Sequence, residues 1–283
     1  MASEQREAGR EGPSASSPNS SCSWLPRSQQ WDHTDIWSRA ARHLALGLAS
    51  LGLIVPGVFV ALPSAAVSAR MTTPTLIHGP ERANAHSDQT WSGYAVTSSG
   101  PYTSITGSWN IPTMNCSNGR GDASPWIGID GWSNDTVEQI GIDLDCIKGK
   151  ASYHPWVEMY PGPSHYFKDT VTAGDILTAS VQVSGSSWVL SERDLNTGWS
   201  KTFDETSKDQ LASAEAIIED IGGGAEPPVP DFNTVSFTKI TVNGVPLASA
   251  GTVHKTTLER GSSKLSSESP LDGGKFSISW LHN

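Results

Sequence analysis

The 283-residue sequence predicts an all-β domain of antiparallel strands, a sandwich or a barrel. Three observations carry this expectation. Short strand-like runs alternate with turn signals from Thr90 onward, and no amphipathic helix interrupts them. Charged residues make up only 17% of the chain while glycine reaches 27 residues, a balance that suits an exported β domain. Several runs also alternate, residue by residue, between an aliphatic set and an aromatic or polar set.

The elements follow in order. Residues 1–36 are polar and rich in Ser, Arg and Glu, and read as a disordered tail. Residues 37–69 place Arg39 and Arg42 before the apolar stretch 44–62 and end in Val67-Ser68-Ala69, the pattern of a signal peptide. The stretch is long enough to serve as an uncleaved anchor, although Pro56 interrupts it. Residues 70–88 read as a linker or short propeptide, and 89–283 as the β domain. Within it the expected strands lie in "WSGYAVTS", "ITGSWNIP", "SPWIGIDG", "VEQIGIDLD", "YHPWVEMYP", "ILTASVQVS", "SWVLSERDL", "AEAIIEDI", "TVSFTKITV" and "KFSISWL". "GGGAEPPVPDF" reads as a loop, because its Pro and Gly residues are poor in central strands.

Charge and cysteine content narrow the function. From Met71 onward there are 13 Lys plus Arg and 24 Asp plus Glu, a net charge of −11. That surface argues against nucleic acid and anionic membranes as partners. Cys22 lies in the leader, and the remaining pair, Cys116 and Cys146, suggests one disulfide in an oxidising compartment. No metal site, phosphate loop or Ser-His-Asp pattern is recognisable, so no cofactor is expected.

Strand parity selects the candidate site. Ile127 and Ile129 share one parity, opposite Trp126, Gly128 and Asp130. Ile140, Ile142 and Leu144 lie opposite Gln139, Gly141 and Asp143. Val157 and Met159 lie opposite His154, Trp156, Glu158 and Tyr160, and Glu215 and Glu219 lie opposite Ala214, Ala216 and Ile218. A face of aromatics, amide and carboxylates suits a groove for an extended polymer, with Trp126, Trp156 and Tyr160 as walls. Gly128 and Gly141 would leave room for a ligand backbone. The ordinary alternative is that the tryptophans form a second core and the acids are simply exposed or held by hydrogen bonds.

"WIGIDGWSNDTVEQIG", "YHPWVEMYP" and "AEAIIEDI", in this order, resemble the signature segments of the glutamic peptidases, the eqolisins or peptidase family G1. The resemblance implies a two-sheet antiparallel β-sandwich like those of lectins and glucanases (concanavalin A-like), with the site on a curved concave sheet. It implies a catalytic pair at Gln139 and Glu219. It places Trp126, Asp130, Trp156, Glu158 and Tyr160 in matching segments and aligns Trp91 with a tryptophan near the mature N-terminus. Asp143 and Glu215 join them as supporting candidates on parity. His154 stands where some members carry an acid, which puts a local acidic network in doubt. The cysteines imply a bridge of bacterial type, tying the loop after "WNIP" to the end of the Gln139 strand.

The function expected is a secreted, acid-acting endopeptidase, monomeric, acting on polypeptides and without a stable membrane partner once the leader is cleaved. Glu219 would take a proton from water and return it to the leaving amine, and Gln139 would hold the oxyanion. Two alternatives use the same face. A lectin-like glycosidase would pair Glu219 with Glu158, and a non-catalytic carbohydrate- or peptide-binding module would use Trp126 and Trp156 as stacking platforms.

Overall fold

In the computed structural model, the described residues are 78–80, 88–221 and 228–282. The tail, the signal-peptide segment and most of the linker expected from the sequence lie outside them. The strands are, in chain order, β1 (Asp88–Gln89), β2 (Trp91–Thr97), β3 (Ser104–Asn110), β4 (Arg120–Ile129), β5 (Val137–Ile147) and β6 (Lys150–Tyr160). There follow β7 (His165–Tyr166), β8 (Ile176–Ser184), β9 (Ser187–Asp194), β10 (Ser200–Thr206), β11 (Ser213–Glu219) and β12 (Thr234–Val242). The last are β13 (Val245–Pro246), β14 (Thr252–Thr256), β15 (Glu259–Arg260), β16 (Ser263–Lys264), β17 (Ser266–Glu268) and β18 (Phe276–Trp280).

Two large antiparallel sheets result. One has the order β14-β2-β11-β4-β5-β6-β7, and the other runs β10-β9-β8-β3-β12-β18-β17 with β13 paired to β12. A small sheet, β1-β15-β16, stands beside them. All pairings are antiparallel, so the sandwich read from the sequence is the fold. Every quoted run contains a strand. β10, β14 and the short strands β1, β7, β13, β15, β16 and β17 fall outside those runs; the residues of β10 and β14 are mostly exposed or half-buried, and both sit at sheet edges. An edge strand faces no core on one side, so its alternation is weak.

The aliphatic parities meet between the sheets. Ile127, Ile129, Ile140, Ile142, Leu144 and Val157 from the first sheet pack with Trp109, Leu177, Val181, Leu190, Phe237 and Ile278 from the second. Burying each such side chain contributes about 1.5–3 kcal/mol. Among the described residues no helix is long and apolar enough to cross a membrane.

Cys116 and Cys146 are joined, with 5.3 Å between their Cα atoms and a sequence separation of 30. Cys146 stands near the end of β5 and pairs across to Gly121 on β4. The bridge therefore secures the far end of the strand that carries Gln139. Closing a loop of this size stabilises the fold by about 3–4 kcal/mol in the chain-entropy account. Replacing both cysteines by serine should lower the melting temperature by about 6–16 °C, at ~2–4 °C per kcal/mol. Calorimetry of the paired variant against the parent would measure it, and an unchanged transition would contradict the account.

Candidate active site

Strands β11, β4, β5 and β6 lie side by side and carry the site. Period-two alternation turns their aliphatic residues into the main core and leaves Gln139, Asp143, Glu158, Glu215 and Glu219 on the opposite parity. Register aligns them in rows. Glu215 faces Gly128, Gly128 faces Gln139, and Gln139 faces Glu158. In the next row Ile217, Trp126, Gly141 and Trp156 are neighbours. One row further, Glu219 faces Ser124 and Asp143 faces His154.

The tryptophans are not the open walls expected from the sequence. Trp126 and Trp156 are fully buried, and with Trp91, Val137 and Ile217 they form a second hydrophobic cluster. Their indole nitrogens still need acceptors. Trp126 Nε1 donates to Glu219 Oε2 at 3.0 Å, and Trp156 Nε1 donates to Ser124 Oγ at 2.9 Å. The glycines serve this packing. A Cβ on Gly141 would come within 2.5 Å of both Pro125 O and Trp126 Cβ, and one on Gly128 within 3.0 Å of the Trp126 ring. The space that seemed reserved for a ligand is filled by the protein's own chain.

Gln139 and Glu219 meet at one peptide group. Gln139 Nε2 donates to Glu158 Oε2 at 2.9 Å and reaches the His78 carbonyl oxygen at 3.4 Å. Both contacts are acceptors, which fixes the orientation of the amide. Its Oε1 is buried and accepts no hydrogen bond from the described residues. Glu219 Oε1 accepts from the Gly79 N–H at 3.1 Å. The amide and the carboxyl thus address the two ends of the linkage between His78 and Gly79.

His78 itself is completely buried. Its ring stacks on Trp156 with centroids 3.7 Å apart and planes 12° from parallel. Nε2 lies 3.3 Å from Asp143 Oδ1 and Nδ1 lies 3.6 Å from Glu219 Oε2. Neither contact is aligned as a hydrogen bond, so both act as ion pairs. Burial alone would lower the imidazole, but the Asp143 and Glu219 carboxylates outweigh it and raise it to about 10. Tyr166 O–H donates to Asp143 Oδ2 at 2.7 Å.

The supporting candidates divide. Trp91 Nε1 donates to Gly79 O at 3.2 Å, and Tyr160, half-buried, packs on the tryptophan cluster. Glu158 accepts from Ser164 Oγ at 3.0 Å, and burial, partly offset by His78, pushes its carboxyl up to about 7. Asp130 is not brought to this group. It sits at positive φ (70°) after β4 and accepts from the Leu211, Ala212 and Asn134 N–H groups at 2.8, 2.6 and 2.8 Å, clamping the approach to β11. Glu215 is fully enclosed, and burial holds its carboxyl well above the usual range, against the opposing pull of Ser213. His78, Ser124, Ser164 and Tyr166 were not foreseen. Ser164 and Tyr166 follow the Pro161 turn in a segment with no periodicity, and His78 lies in a stretch with none either.

An acidic network does surround the site despite His154. Asp122 and Asp145 are cross-strand partners on β4 and β5. Burial, reinforced by Asp220 and Asp143 for Asp122 and by Asp143 and Asp122 for Asp145, pushes each up to about 7. His154 Nε2 stands 3.5 Å from Asp145 Oδ2, half-exposed.

Comparison with known proteins gives a consistent picture. The model of the peptidase A4 family matches residues 89–280. The crystal structure of scytalido-glutamic peptidase with a peptide-based transition state analog is 25% identical, with a TM-score of 0.58 over 68% of this chain and 98% of that one. The same peptidase with a transition state analog inhibitor is 24% identical over the same shares, also at a TM-score of 0.58. SCP-B, a member of the eqolisin family in complex with the tripeptide Ala-Ile-His, is 23% identical, at a TM-score of 0.54 over 68% of this chain and 98% of that one. No curated protein matches.

The raised carboxyls set the pH dependence of stability. Unfolded Asp and Glu give up their protons near pH ~4, whereas Asp122, Asp145 and Glu158 keep theirs to about 7 when folded. Their favourable contribution is full below pH ~4 and is lost as pH rises through about 7. The melting temperature should therefore be several degrees lower at pH ~8 than at pH ~4, at ~2–4 °C per kcal/mol. Thermal melts across that range would show it, and a protein more stable at the alkaline end would contradict it.

Proposed function

The chain belongs to the peptidase A4 family, the eqolisin or glutamic peptidases, and from that premise we propose that Gln139 and Glu219 are the catalytic pair of an acid-acting endopeptidase. It is a peptide-bond hydrolase, and its substrates are polypeptides. The observation that carries the assignment is the placing of the Gln139 amide at a carbonyl oxygen and the Glu219 carboxyl at the nitrogen of the same linkage.

Amide hydrolysis needs a base for water, a donor for the oxyanion and an acid for the leaving amine. Glu219, held by Trp126 Nε1, takes the water proton. Water oxygen bonds to the carbonyl carbon, and the oxyanion that forms faces Gln139 Nε2. The C–N bond then breaks as Glu219 returns the proton to the amine nitrogen that it already contacts. Glu158 is a positioning residue: it holds Gln139 Nε2, and with its carboxyl pushed up to about 7 it is neutral in mild acid and adds no charge beside the oxyanion.

Acid action is supported by the same set of raised carboxyls, which keeps the site region protonated and stable at low pH. Secretion is supported by the disulfide, which persists in oxidising compartments, and by the leader pattern in residues 37–69. Family membership decides against the glycosidase.

Gln139→Ala should lower kcat by about 10²–10³, the usual cost of one oxyanion donor, with KM little changed. Glu219→Gln keeps the shape but removes the base, and should lose about 10²–10⁴ in rate. Casein digestion at pH ~4 with the folded variants checks both. Near-normal turnover in either one removes the assignment.

A further inference from the structure

Trp132 is a half-buried tryptophan on the site face that the hydrolytic chemistry leaves unused. It follows β4 after the Asp130-Gly131 turn and packs on the cluster of Trp91, Trp126 and Trp156. Its ring also stacks on His254 of the edge strand β14, with centroids 5.0 Å apart and planes 28° from parallel. His254 is fixed in turn by the hydrogen bond between its Nε2 and Thr97 Oγ1 at 2.8 Å.

The mount of this ring is rigid. Gly131 takes a φ of 104°, and its N–H donates to Asn134 Oδ1 at 2.7 Å. A Cβ on Gly131 would come within 2.5 Å of Val137 Cγ2 and 3.0 Å of Trp91 Cη2, so the turn lies tight against the cluster. Asn134 Nδ2 donates to Asp130 Oδ1 at 2.8 Å, which closes the turn. A side chain that settles on Trp132 therefore meets a surface already ordered, and binding there costs little further entropy. Two stacked rings offer flat apolar area, which suits an aromatic or large apolar partner.

Register sets the distance from the catalytic pair. His254 faces Ala95, and Ala95 faces Glu215, four residues before Glu219 on β11. Two strand spacings and four residues of rise separate His254 from Glu219 by about 17 Å across the sheet. A chain bound with its carbonyl oxygen at Gln139 Nε2 and its nitrogen at Glu219 runs from β5 toward β11. The residues after the cleaved bond then head for β2 and β14, which follow β11 in the sheet. At ~3.4 Å per extended residue, the third to fifth of them reach the Trp132 ring.

We propose that Trp132, backed by His254, is a specificity-determining residue of this hydrolase, a platform for an aromatic or large apolar side chain three to five residues after the cleaved bond. The proposal rests on the assignment of Gln139 and Glu219.

The test takes one peptide sequence from a casein cleavage site and places Phe, Leu, Ala or Glu at the third, fourth or fifth position after the cut. Digestion at pH ~4 is followed by mass, which locates the cut, with whole casein run alongside. At one of these positions Phe should exceed Ala by about tenfold in kcat/KM, carried by KM. Trp132→Ala should reduce that ratio to about twofold, while Trp132→Phe, which keeps a flat ring, should retain most of it. His254→Ala removes the backing and should lower the ratio in part. A ring that only caps the fold would slow all the peptides alike and leave their ratio standing. No preference at any of the three positions in the parent, or an undiminished ratio in both Trp132→Ala and His254→Ala, would overturn the proposal and leave the endopeptidase reading intact. Should Trp132→Ala fail to fold, the ratio in His254→Ala decides in the same way. A folded parent that cuts neither the peptides nor casein would overturn both.

Discussion

The pleat of one antiparallel sheet governs this molecule. Gln139, Asp143, Glu158 and Glu219 point away from the main core only because each differs in parity from an aliphatic neighbour. A register slip of one residue would turn every one of them into the space between the sheets. The slip is opposed on both faces. Ile140, Ile142 and Leu144 hold β5 from below, and Trp126, packed over Gly128 and Gly141, holds it from above. The two glycines allow the indole to settle on the neighbouring strand, and the indole in turn orients Glu219 through its N–H. Packing and chemistry share one side chain here.

This explains what could be read before the structure and what could not. Parity is local, so the facing directions of Gln139, Glu158 and Glu219 were visible in runs of a few residues. Which row each occupies depends on strand order, and β11 pairs with β4 and β2 although it follows them by many residues. His78 reaches Asp143 and Glu219 across long stretches of chain, and no periodicity marks the segment in which it lies. Trp126 and Trp156 were placed on the right face but given too open a role, because composition cannot tell a stacking platform from a buried one. Asp130 was grouped with the site on its motif, yet its positive φ and its backbone partners make it a clamp on the chain entering β11.

The carboxyls form a second layer of organisation. Asp122, Asp145 and Glu158 are held up by burial and by neighbouring carboxylates, a push that His78 offsets in part for all three and Arg120 for Asp122. A region built in this way tolerates protons better than it tolerates their loss. Its architecture favours the conditions in which a carboxyl-based hydrolase is expected to work, so stability and chemistry lean the same way along the pH axis.

The hairpin from Pro161 to Tyr166 carries a consequence of its own. Ser164 grips Glu158, and Tyr166 grips Asp143, so one small turn at the margin of the sheet braces two carboxylates that stand on different strands. The group that holds the Gln139 amide and the group that faces the His78 ring are thereby braced by the same turn. An exchange of this turn would therefore reach the bond-breaking apparatus through Glu158 as well as the surroundings of Asp143.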